Sequence, residues 1–116
     1  MSSVLVLGID PQGVPGLDGD GLRALLDGEL ARFGELGIDA SMALIALDGS
    51  AGPAMVSALS GRAWDVVVVG GGIRKPEVLL ELFEQAVNLV RQHAPQAAIA
   101  FNTSGGDSVE AAQRWL

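Results

Sequence analysis

Asp65–Val69 (DVVVV) runs directly into Gly70–Gly71–Gly72, and Ile73–Arg74–Lys75–Pro76 follows. Four consecutive β-branched residues without a polar alternation read as a strand buried on both faces. The glycines mark a tight exit from that strand. After Pro76 the period changes: Leu79, Leu82, Phe83, Ala86, Val87 and Val90 recur at three- and four-residue steps, the stripe of an amphipathic helix. The sequence therefore predicts a helix opened by Pro76 and stopped before Pro95, because the residue preceding proline is pushed out of the α region. Strand, glycine turn and helix make one half of a βαβ unit, and the rest of the chain repeats the pattern.

Upstream, Val4–Ile9 (VLVLGI) and Ser41–Leu47 (SMALIAL) are two more short apolar runs, and Ala97–Phe101 (AAIAF) is a fourth downstream. Between the first two, Leu22, Leu25, Leu26, Leu30 and Phe33 form a helical stripe. Asp18 suits its N-cap, and Leu17 can staple onto Leu22. Gly37 suits a left-handed C-cap that folds Ile38 back onto Phe33. Gly28 inside this helix costs about 1 kcal/mol against Ala. Pro53 reads as the first residue of a short helix with Met55, Val56 and Leu59 inward and Gly61 at its end. Asp107 and Glu110 have the spacing of a capping box for a last helix carrying Val109, Ala112 and Leu116.

The order is thus β-α-β-α-β-α-β-α over 116 residues, a length that suits one domain. Buried strands alternating with helices predict an α/β fold: a four-stranded parallel sheet with helices on both faces. Right-handed crossovers favour strand order 2-1-3-4, the flavodoxin-like winding short of a fifth strand. Val6, Leu7, Leu25, Leu44, Val67, Val68, Phe83 and Ile99 are the expected core. An edge strand this apolar invites self-association, and a homodimer is one way to cover it; the competing reading of the chain is a non-enzymatic protein whose apolar edge or last helix serves self-association or a partner.

Composition limits the partners. Lys and Arg number 7 against 14 Asp and Glu, a net charge of −7, which disfavours nucleic acid and anionic membranes. Aromatic residues are 4%, too few for a base-stacking surface. No apolar run approaches the roughly 20 residues of a membrane span, and no basic, apolar leader precedes Val4. Cys is absent and His93 is the single histidine, so thiolate chemistry and a histidine-rich zinc site are excluded, and no metal or cofactor is expected. The absence of Cys suits a reducing cytoplasm.

In sheets of this kind ligands sit beyond the carboxyl ends of the strands, where the strand order reverses. That edge gathers Asp10–Pro11–Gln12, Asp48–Gly49–Ser50, the turn from Gly70 to Pro76, and Asn102–Thr103–Ser104–Gly105–Gly106. Backbone amides of Gly70, Gly71 and Gly72 beside Arg74 and Lys75 can bind a small anion, a phosphate or a carboxylate. Asn102, Thr103 and Ser104 would complete the site. The same glycines can instead serve only a tight turn, and Ser104–Gly106 can serve only to cap the last helix. Asp48 reads as a turn residue, and Asp10 as a turn residue or a weak catalytic candidate. His93 falls at a helix end away from this edge. The most coherent enzymatic scheme is metal-assisted phosphoryl transfer using Asp10 with Arg74. Thr103 and Ser104 lack an evident base, so the reading is a binding role without strong hydrolase activity.

The pattern resembles receiver and flavodoxin domains across nearly the whole chain, but their motifs differ. Gly70 stands where a receiver carries its phospho-accepting Asp, and Asp10–Pro11–Gln12–Gly13 replaces a flavodoxin's hydroxyl-rich phosphate loop. No Gly-Lys-Ser/Thr is present, and Gln12 breaks the Asp-x-Asp of haloacid-dehalogenase phosphatases. Gly70–Pro76, Phe83–Glu84 and Ala100–Thr103 leading to Arg114–Trp115–Leu116 are similar to a group of small uncharacterised bacterial α/β proteins. That resemblance implies the fold and supplies no catalytic residue.

Overall fold

The computed structural model describes residues 2–11 and 18–116. Strands β1 (Ser3–Ile9), β2 (Asp39–Ile45), β3 (Val66–Val69) and β4 (Ala98–Phe101) form one parallel sheet in the order β2-β1-β3-β4. The helices are α1 (Gly19–Glu35), α2 (Ala51–Ser60), α3 (Gly71–Arg74), α4 (Leu80–His93) and α5 (Ser108–Gln113), with a 3-10 turn over Glu77–Leu79.

Alternation along the strands builds two cores. Leu5, Leu7, Ile9, Val67 and Val69 point to one face, against Met55 and Leu59 of α2, Ile73 of α3, and Ala86 and Val90 of α4. Val4, Val6, Val66, Val68 and Ala100 point to the other, against Phe33 of α1 and Val109, Ala111 and Ala112 of α5. All four valines of β3 have no exposed surface, as expected for a strand covered on both sides.

The caps of α1 follow the sequence. Asp18 Oδ1 accepts the Gly21 amide at 3.0 Å. At the other end Gly37 is left-handed (φ 72°). There Ile38 donates to the Phe33 carbonyl at 3.0 Å and Gly37 to that of Gly34 at 3.1 Å, the paired bonds of a Schellman motif. The staple from Leu17 lies outside the described residues.

Several expectations are corrected. Leu25 is 47% exposed, because the buried stripe of α1 runs Leu26, Glu29, Phe33. Leu44, Phe83 and Ile99 are half-buried, since β2 and β4 are the edges of a narrow sheet. The second strand starts at Asp39 and has one fully buried residue, Ile45, so it is not buried throughout. Ser50 is the N-cap of α2, which puts Pro53 at the third helical position; its missing N–H still belongs to the orphan set. Pro76 does not open the long helix. It is extended, separating α3 from the 3-10 turn that leads into α4. The Asp107–Glu110 box does not close: the Asp107 side chain makes no cap bond to α5. Among the described residues, no helix is long and apolar enough to cross a membrane.

Candidate functional site

At the carboxyl end of β3 the chain turns into helix at once. The Gly70 amide still bonds to the Leu7 carbonyl at 2.8 Å, while its own carbonyl accepts from Ile73 (3.1 Å) and Arg74 (3.2 Å). Gly70 is required here by close approach: a Cβ would stand 2.9 Å from the Leu7 carbonyl oxygen. The glycine run is thus the first turn of α3, with Ile73 plugged into the core at 0% exposure.

Asn102 ties this turn to the β4 loop. Its side chain is buried, with Oδ1 accepting from the Gly71 amide at 2.8 Å and Nδ2 donating to Ser108 Oγ at 2.9 Å. One amide group thereby links the start of α3 to the start of α5. The two cations of the turn reinforce the link. Arg74 Nη2 donates to the Asn102 carbonyl, and its guanidinium lies 5.7 Å from the centre of the Phe101 ring. Lys75 Nζ donates to the Thr103 carbonyl. Arg74 Nε is buried without a hydrogen-bond partner.

The loop after β4 folds around Asp107. Its carboxylate accepts from the Thr103 and Ser104 amides, each at 3.0 Å, and from the Thr103 hydroxyl at 2.6 Å. Burial pushes the Asp107 carboxyl up, but these bonds and the nearby Arg114 charge outweigh it and hold it below the usual carboxylate range. Asp48, after β2, is likewise held low, here by the hydroxyl and amide of Ser50. It caps its own turn.

These loops border a cavity of about 570 Å³ over the carboxyl ends of β1 and β3, the point where the strand order reverses. Leu22, Leu26, Met42, Leu47, Val78 and Leu79 supply much of its apolar wall. Of the residues singled out in the sequence, Gly70, Gly71, Gly72, Lys75, Asn102, Thr103 and Ser104 line it. Arg74 does not; its head group is directed to Asn102 and Phe101. Asp10 does not line it either, and stands 3.8 Å from Arg23 Nη2. A second hollow of about 590 Å³, between Asp48 and Leu82 and Gln85 of α4, is open to solvent and has none of the groups of the glycine turn or the β4 loop. Among the described residues, no cluster of three or more His, Cys, Asp or Glu side chains could hold a metal ion.

One determinant of the site was missed. Glu29 is 2% exposed within the buried stripe of α1. Its Oε1 accepts from the Val109 amide of α5 at 3.1 Å, and Oε2 from Arg32 at 2.6 Å. Arg32 also bonds Glu110 at 2.6 Å and the Gly106 carbonyl at 3.2 Å. This clamp docks the β4–α5 loop on α1 beside the cavity. The spacing Leu26, Glu29, Phe33 carried the signal, for it puts the glutamate on the inward face. No protein-family model, curated protein or solved structure matches the chain.

Proposed function

We propose that the protein binds a small molecule with an apolar body and one anionic end, a carboxylate or phosphate, in the cavity over β1 and β3. The observation that carries this reading is the asymmetry of the cavity: extended apolar walls, with the polar groups of Gly72, Lys75, Thr103 and Ser104 along the α3 and β4-loop side. Its volume of about 570 Å³ falls within the range of small-molecule sites. An ammonium has three donors, so the Lys75 bond to Thr103 leaves two for an incoming anion. Arg74, Gly71 and Asn102 act in this reading as the frame. The 2-1-3-4 winding supports the likeness to flavodoxin-like and small bacterial α/β proteins, and a cytoplasmic binding protein without hydrolytic chemistry is the role that follows.

The test is thermal denaturation with carboxylates and phosphates carrying apolar bodies of graded size. A ligand at 100 times its Kd stabilises the native state by about 2.7 kcal/mol, a readily measured rise in Tm. Gly72→Leu places a side chain at the cavity wall, where a Cβ meets Ile9 only at ordinary contact distance of 3.6 Å. It should fold and lose the ligand-induced shift. Lys75→Gln should weaken anionic ligands and spare their neutral analogues. A panel that leaves Tm unchanged at millimolar ligand rejects the reading.

A further inference from the structure

We propose that the outer edge of β2 is the contact surface of a two-fold dimer, in which β2 pairs antiparallel with β2 of a second copy and the two sheets become one. This does not depend on the cavity. The bonds at the two ends of β2 fix which way its backbone points. Asp39 donates to the Ser2 carbonyl and the Ile45 carbonyl accepts from Asp10, both at 2.9 Å, and the register with β1 is unbroken from Ser3↔Asp39 to Ile9↔Ile45. In a parallel ladder the backbone groups of alternate residues turn to the same side. Asp39, Ser41, Ala43 and Ile45 therefore face β1. Ala40, Met42 and Leu44 hold their N–H and C=O groups outward, where no described residue meets them.

This row is symmetric about Met42. An antiparallel copy with its axis at Met42 sets Ala40 against Leu44, Met42 against Met42, and Leu44 against Ala40. All three outward N–H groups and all three outward carbonyls of each copy are then satisfied. The edge carries none of the features that normally block such pairing: no Lys, Pro or bulge lies between Ala40 and Ile45. The same register brings Leu36, 53% exposed just before the strand, and Leu47, 47% exposed just after it, to the same ends of the seam. Charge is compatible, because each end holds the Asp39–Arg62 ion pair of one copy and Asp48 of the other. One strand and its flanks make a small interface, so the dimer is expected to form with rising concentration.

Sedimentation or light scattering across a concentration series reads the mass, which should rise from 11.9 kDa toward twice that value. Met42→Pro removes an N–H that serves no bond inside the chain, at an edge position where proline is tolerated. The variant should keep the circular dichroism of the fold and remain monomeric. Amide exchange gives a readout that needs no variant: Ala40, Met42 and Leu44 should slow by about tenfold or more on concentrating the protein, while Ser41 and Ala43 stay constant. A mass that stays at one chain throughout, a dimer that survives in folded Met42→Pro, or exchange at these three amides that ignores concentration, would each overturn the proposal. If Met42→Pro fails to fold, the exchange experiment decides.

Discussion

Asn102 does more for the site than either cation beside it. Its side chain is the acceptor for Gly71 and the donor to Ser108, both buried. Asn102→Ala leaves the Gly71 amide inside the protein without a partner, a loss of about 1–3 kcal/mol by the usual cost of an unmade buried hydrogen bond. Urea denaturation should show it as a lower midpoint with an unchanged slope; an unaltered midpoint would mean that another group takes the amide. The sequence offers Asn102 as a ligand-binding residue, and no pattern of residue types separates a side chain facing a ligand from one spanning two helix starts. The same holds for Arg74. Its charge and its place after three glycines read as an anion contact, while the fold turns the guanidinium onto a carbonyl and an aromatic ring.

Helices and strands were legible chiefly from apolar periodicity, and best where a terminal signal agreed with it. α1 has both, and the glycine just past its C-terminus and one in its middle make opposite demands. Gly37 sits at φ 72°, where an alanine is strained, so Gly37→Ala should lower stability by about 1–2 kcal/mol. Gly28 lies mid-helix with nothing within 4 Å of an added Cβ, so Gly28→Ala should raise stability by up to about 1 kcal/mol. Thermal unfolding of the two variants side by side checks the signs, and equal shifts would refute the assignment. Elsewhere a terminal signal misled. Pro76 looks like the start of a helix because proline suits the first turn. Here it ends a separate turn, since Ile73 must enter the core directly after β3, before α4 begins its own stripe. Leu25 fell on the predicted stripe but faces Gly105 and Gly106, and the glycines of that loop make room for it at the surface.

The strand order and the two-sided core followed from four apolar runs and the handedness of crossovers, and the structure has both. The cavity's position followed from the same topology, but its apolar wall did not, because Leu22, Met42 and Val78 come together only after three separate segments pack. Acid should act on the whole molecule through a few carboxyls. Asp107, Asp48 and Glu110 are all held below their ordinary values, Glu110 chiefly by its hydrogen bond to Arg32. A depressed carboxyl adds stability above its unfolded pKa, and that stability fades as pH falls through the lower folded value. Tm should therefore be level near neutrality and fall below about pH 4, with a shallower fall in Asp107→Asn. Parallel curves for the two proteins would exclude Asp107 as a contributor. The far side of the sheet carries a consequence for assembly. β4 is only four residues long, and its outward Phe101 carbonyl is already occupied by Arg114 at 2.9 Å. Among the described residues of β4, a chain arriving there finds the Ile99 pair and the Phe101 amide. Among the described residues β2 is thus the edge with the fuller open ladder: in the proposed pairing, joining at β2 would consume it, and growth would terminate at a closed pair instead of propagating into a filament.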